Sequence, residues 1–141
     1  MANALYDKGR EAFLNGGIDW TNDTIKAHLV RSTGGGGGPY YTVNLATDDF
    51  LDDIPSNGDC RPSTAQTIGS KTSTDGVADG GDITFSAVAS GDAIQYVIVY
   101  RDSGVESTSE LIAFIDTGNL PVTPNGGDIV VQWNPSGIFK L

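Results

Sequence analysis

From Asp82 to Lys140 the chain alternates short apolar runs with clusters of Gly, Pro, Asn and Asp. Ile83–Phe85, Ile94–Tyr100, Leu111–Ile115 and Ile129–Trp133 are rich in β-branched and aromatic residues, which suit a pleated surface, and turn-forming residues separate them. The pattern predicts an all-β fold. In Ala93–Tyr100 nearly every position is apolar, so this run is expected to be a central strand buried on both faces. Leu111–Ile115 has no polar interruption either, while Asp128–Trp133 is more mixed. Together with Val77–Ala87 these runs can supply two facing apolar layers, as an antiparallel sandwich or a small barrel requires. The closing Gly137–Leu141 is apolar almost to its last residue, which predicts a C-terminus pinned into a sheet or an interface.

The N-terminal half is less regular. Asn3 is placed to cap a short helix running to about Leu14, with Leu5, Tyr6, Gly9, Ala12 and Phe13 mostly on one stripe that would dock on the core. Asn15, Gly16 and Gly17 would end it. Ile25, Ala27 and Leu29 alternate with Lys26 and His28, the period of a half-buried strand over Thr24–Arg31, with His28 on the wet face. Residues 32–41 carry five consecutive glycines, Gly34–Gly38, and are expected to form a flexible loop ending in Tyr40 and Tyr41. Thr47–Pro55 reads as a helical turn near 47–53, with Thr47 as cap, acids in its first turn and Pro55 as stop. The expected organisation is thus a single β domain over 1–141, with an N-terminal helix over 1–14.

Composition narrows the function classes. Asp and Glu outnumber Lys and Arg 18 to 8, a formal charge of −10, so the surface should repel phosphate backbones and nucleic acid is not an expected partner. No apolar run approaches the length needed to span a bilayer, and the first ten residues lack a signal-peptide core, so no membrane partner is expected. Cys60 is the single cysteine, which excludes an intrachain disulfide, and it reads as an ordinary small residue rather than a nucleophile.

Candidate chemistry fails on spacing. Asp48, Asp49, Asp52 and Asp53 lack the alternating acids and closing Glu of an EF-hand loop, and Asp75, Asp79 and Asp82 fit turn chemistry rather than a calcium turn. Pro39 follows the glycine run where a phosphate cradle would need a helix or a Lys, and Gly69–Thr72 lacks the opening glycine of a Walker loop. There is no Gly-x-Ser-x-Gly elbow, no His-Glu-x-x-His pair, and no second His to complete a triad. No catalytic, cofactor-binding or metal residues are assigned, no cofactor is expected, and the chain is not expected to be an enzyme.

Met1–Leu14, Tyr41-Thr-Val-Asn-Leu-Ala-Thr47, Asp75-Gly-Val-Ala-Asp79, Glu106-Ser-Thr-Ser109, Leu120-Pro-Val-Thr-Pro-Asn-Gly-Gly-Asp128 and the closing Gly-Ile-Phe-Lys-Leu141 resemble a family of small structural proteins of tailed bacteriophages. The five-glycine loop departs from that pattern, because the relatives join the first strand to the Tyr41 segment more briefly. The resemblance implies a virion component, a decoration or cement protein on the outer capsid surface, made in the host cytoplasm. Its implied partner is the major capsid protein, and small size and edge strands suit a homo-oligomer, a cyclic trimer or dimer. Tyr40, Tyr41, Phe50 and Leu51 are the candidate contact residues, since exposed aromatic and aliphatic side chains favour interfaces, with core packing an equal expectation for Phe50 and Leu51. A competing expectation is a tail or fibre protein whose glycine loop, Tyr40 and Tyr41 bind a host receptor.

Overall fold

The computed structural model describes residues 3–141; Met1 and Ala2, the start of the expected 1–14 helix, lie outside the described residues. The fold is all-β, with antiparallel sheets packed as a sandwich and no barrel closure. A five-stranded sheet forms the middle, built from β1 (Ala4–Leu5), β2 (Ile25–Val30), β3 (Gln66–Thr67), β6 (Tyr96–Arg101) and β7 (Leu111–Ile115) in the order β1-β7-β6-β2-β3. The apolar run expected to be central is central: β6 pairs with β2 from Ile25↔Arg101 to Val30↔Tyr96 and with β7 on its other side. Two short ribbons complete the strands, β4 (Val77–Ala78) with β9 (Phe139–Lys140) and β5 (Ile83–Phe85) with β8 (Ile129–Val131).

Alternation along β6 separates two cores. Val97 and Val99 join Ile25, Ala27, Leu29, Phe85, Val88 and Ile94 on one face, beneath the two ribbons. Ile98 and Tyr100 join Val30, Leu111 and Phe114 on the other, beneath Tyr41, Leu51, Ile54 and Cys60. The cover of this second face is irregular chain, residues 41–65, whose one piece of helix is a 3₁₀ turn at Leu51–Asp53. The C-terminus is held as expected: β9 pairs with β4, and the Leu141 N–H donates to Gly76 O at 3.0 Å.

Three expectations require correction. The N-terminal helix, α1, spans Asp7–Leu14, because Ala4–Leu5 instead add a strand to the edge of β7. Asn3 does not cap the helix; its Oδ1 accepts from Asp116 N and Thr117 Oγ1, both at 3.0 Å, which ties the chain end to the turn after β7. Helix and sheet meet closely at Gly9, where a Cβ would stand 2.7 Å from Leu111 O and 2.9 Å from Ile112 Cα. The helical turn expected near 47–53 shrinks to Leu51–Asp53, and Thr47 is not its cap. Here Asp48 Oδ2 accepts from Asn44 N at 2.7 Å and Asp53 Oδ2 from Asp49 N at 2.7 Å, so carboxylates hold amides that a longer helix would present.

Candidate functional site

The loop-covered face concentrates the polar chemistry of the interior. Arg31 follows β2 directly and is 6% exposed. Its Nε and Nη2 donate to Asp92 O at 3.1 and 2.9 Å, and its Nη1 to Asp59 O at 3.0 Å. Arg61, with a side chain 7% exposed, donates through Nη2 to Leu51 O, Ile54 O and Glu106 Oε1 at 2.9, 2.6 and 2.9 Å. Both guanidinium groups therefore bind carbonyl oxygens of connections that have no ladder partner, a charge-assisted substitute for sheet pairing. Arg101 makes a different contact, an ion pair with Glu110 at 2.5 Å.

Above Arg31 the five-glycine loop is tethered, although sequence composition predicts a flexible segment. Gly35 N–H donates to Asp92 Oδ2 at 2.6 Å, Gly36 N–H to the Tyr40 hydroxyl at 2.9 Å, and Gly37 N–H to Asp59 Oδ2 at 2.5 Å. Successive amides of a glycine run form a concavity suited to anions, and here the chain's own carboxylates fill it. A Cβ at position 36 would displace the Asp59 carboxylate from its place over the loop. Asn57 Nδ2 donates to Pro39 O at 2.8 Å and closes the far end.

Of the four contact residues expected from sequence, the structure separates two from two. Tyr41 and Leu51, at 2% and 4% exposure, lie inside the second core, so neither side chain can meet a partner. The Tyr41 hydroxyl donates to Asp48 Oδ2 at 2.6 Å and lies 2.8 Å from the Tyr6 hydroxyl. Burial pushes both phenols far above their ordinary pKa. Tyr40 and Phe50 are half-exposed, and Lys8 Nζ sits 5.4 Å over the Phe50 ring. Tyr40 belongs to the glycine loop, and Phe50 to the bridge with Glu110.

His28 is not the wet side chain that its phase predicts. Its ring stacks on Tyr100 with centroids 5.7 Å apart, and Nδ1 has no hydrogen-bond partner among the described residues. Desolvation first, and the nearby Arg61 charge second, push its pKa down to about 4. Burial likewise raises the Cys60 thiol, and its Sγ lies 3.6 Å from Arg31 O. The acid clusters act as turn and amide acceptors: Asp79 Oδ1 takes Gly80 N at 2.8 Å, Asp82 Oδ1 takes Trp133 N at 3.1 Å, and Asp75 adopts φ 55° before Gly76 at φ 78°. Among the described residues no group of three or more His, Cys, Asp or Glu side chains is arranged to hold a metal ion.

Sequence reasoning missed Arg31 and Arg61. Arg31 stands at the border of an apolar strand and the Ser32–Gly38 stretch, where unpaired carbonyls gather, and that position was an available signal; Arg61, inside the polar run Ser56–Ser63, carried none. Fold and site together define an antiparallel β-sandwich whose buried cations fasten irregular chain to a sheet. Neither a family model nor a curated protein sequence matches this chain. No helix among the described residues is long and apolar enough to cross a membrane.

Proposed function

We propose that this chain is a bacteriophage virion structural protein that decorates and stabilises the outer capsid surface through non-covalent contacts with capsid subunits. The observation that carries the reading is the fastening of the irregular cover, to the end of β2 by Arg31 and within itself by Arg61, which braces the one face of the central sheet that no ribbon covers. A shell under internal pressure gains strength from stiff bridges repeated at every equivalent position, and many weak contacts then add. The sequence resemblance supplies the virion setting, and the formal charge of −10 suits a protein that must not adhere to packaged nucleic acid. In this reading the protein turns over no substrate, binds no cofactor, and meets the major capsid protein, itself as a cyclic trimer or dimer. Tyr40 and Phe50 are the contact residues carried forward, since their side chains reach the surface.

The test is a count of copies per particle against the major capsid protein by quantitative mass spectrometry, with location by image reconstruction of intact virions. Copies comparable to the capsid protein and density on the outer shell are expected. A few copies confined to the tail would overturn the proposal in favour of a receptor-binding tail or fibre protein.

A further inference from the structure

We infer that the groove between β8 and the segment 117–125 is a binding site for a neutral oligosaccharide. It encloses about 690 Å³, within the roughly 300–1,000 Å³ of small-molecule sites. Its chemistry sets it apart from the rest of the molecule. Four of the chain's eight asparagines line it, Asn3, Asn119, Asn125 and Asn134, with Gln132 and Thr123 between them. Although the chain has 18 acids and 8 Lys and Arg residues, Asp128 is the one charged side chain in the lining among the described residues, and its Oδ1 accepts from Ala87 N at 2.8 Å. With no cation and a single carboxylate in its described lining, the groove disfavours anions and offers neutral polar ligands mostly uncharged partners.

The available hydrogen-bonding groups point the same way. Asn119, Thr123 and Gln132 side chains make no hydrogen bond to the described residues, while Asn125 and Asn134 use only their Oδ1, accepting Gly127 N and Ser136 N at 3.0 and 2.8 Å. The amide nitrogens of both therefore remain free to donate. Carboxamides offer a donor and an acceptor side by side, which matches adjacent sugar hydroxyls without adding charge. Trp133 supplies an apolar surface for the C–H face of a pyranose, and it is fixed at two points: Nε1 donates to Gly81 O at 2.8 Å and the backbone N–H to Asp82 Oδ1 at 3.1 Å. Sites of this kind gain affinity from groups that are held before the ligand arrives. The inference does not rest on the virion reading, and its ligand chemistry stands whichever particle or cell the protein meets.

The test is a heteronuclear NMR titration of the full chain with three neutral probes, maltotriose, cellotriose and triacetylchitotriose, reading the side-chain amides of Asn119, Asn125 and Gln132 and the Trp133 indole. Saturable shifts at these groups with at least one probe are expected, with Kd on the order of 1 mM. The N119A/Q132A double variant, altered only at exposed side chains, should weaken that binding about tenfold with an unchanged melting temperature. N119A alone serves if the double variant melts early. Shifts that are absent with all three sugars, or that map elsewhere, overturn the inference. So does saturation of the groove by an extended neutral Val-Thr hexapeptide without any response to sugar, because β8 pairs only with β5 and that result would make the groove a strand-addition site.

Discussion

The two faces of the five-stranded sheet are covered in different ways, and the difference explains where the polar interior residues lie. Ribbons β5-β8 and β4-β9 cover one face, and the core beneath them is aliphatic and aromatic throughout, from Ile25 and Leu29 to Phe85 and Ile138. Strands satisfy most of one another's backbone groups, so that cover needs few side-chain hydrogen bonds to sit on a dry core. Residues 41–65 cover the other face as irregular chain, and there the interior contains Arg31, Arg61, Tyr6 and Tyr41 beside its apolar members, with His28 half-buried at its edge. A loop laid over a sheet leaves carbonyls without ladder partners, and buried carbonyls need donors. Polar burial on this face thus tracks the geometry of its cover.

The largest effects should come from the apolar side, where a packed core lies beneath the ribbons beside bonds such as Trp20 Nε1 to Asp79 O. Phe85 is fully buried on β5, and Phe85→Ala is expected to cost about 3–5 kcal/mol through lost transfer energy and a cavity. Phe114→Ala, on the loop-covered face, removes the same atoms from an equally buried site, and its ring also lies 4.5 Å from that of Tyr96. Urea unfolding of both variants sharpens the comparison. Equal losses would mean that the two covers resist cavity collapse alike, whereas a smaller loss at Phe114 would show the irregular cover settling into the space. A loss below about 1 kcal/mol at Phe85 would break the view of that face as a packed core.

Next in size is Arg31→Met, which keeps the apolar stem and removes the donors. The carbonyls of Asp59 and Asp92 then lose their partners, and a cost of about 2–4 kcal/mol is expected in thermal or urea unfolding. The readout specific to the comparison is hydrogen exchange. Amides of the loop cover, such as Cys60 and Arg61, should lose protection first, while those of β5 and β8 keep theirs. Uniform loss across both faces would mean that the arginine stabilises the whole sandwich rather than its cover.

The same contrast governs how much of the molecule could be read from the chain. Ile83–Phe85 and Leu111–Ile115 form strands with the bounds their apolar runs predict, because short strands buried on a dry face are dictated by local composition. The Ile94–Tyr100 run is central as expected, trimmed to Tyr96–Arg101 where Ile94 leaves to bridge Val122. Ala4–Leu5 was not legible as a strand, since two residues carry no period and only the neighbouring β7 edge selects them. Tyr41 and Leu51 read as candidate surface anchors because aromatic and aliphatic residues outside the predicted strands favour interfaces; they are buried because the loop containing them is itself a cover. The groove asparagines gave no signal, since 119, 125 and 134 meet only through tertiary folding.

A smaller effect separates the faces by pH. His28 in the folded state has its pKa lowered to about 4, against an ordinary value near 6.5, mainly by desolvation, with Arg61 and Lys26 opposing its charge and Glu106 favouring it. A hydrogen bond with the Ser63 backbone also favours the charged form, and the Tyr100 ring, whose pKa burial raises to about 12, stacks on the imidazole. A depressed histidine pKa favours the neutral form on folding, so stability is intact above pH 6.5 and falls as pH drops from 6.5 to 4. The loss should be about 1–3 kcal/mol, and His28→Gln should flatten stability across that window. Losses below pH 4 belong instead to carboxylates such as Asp102 and Asp19, whose pKa values hydrogen bonds hold down, and should persist in the variant.

The smallest change addresses the glycine loop, where the loop-covered side ends at the surface. Asp59→Asn and Asp92→Asn keep the shape of each side chain and remove the charge that accepts Gly37 N–H and Gly35 N–H. Both bonds are exposed, so the cost in global stability should be under about 1 kcal/mol for each. Local order is a separate quantity, because opening an exposed loop needs far less free energy than unfolding the sheet beneath it. Exchange at Gly35 and Gly37 should therefore quicken several-fold in the double variant, with the melting temperature moved by only a few degrees. Arg31 would still hold the backbone of both aspartates, since it binds their carbonyl oxygens and not their carboxylates. Unchanged exchange would show that Tyr40 and Asn57, which bind Gly36 N–H and Pro39 O, suffice to hold the loop, and that the carboxylates only occupy a concavity that the glycines form unaided.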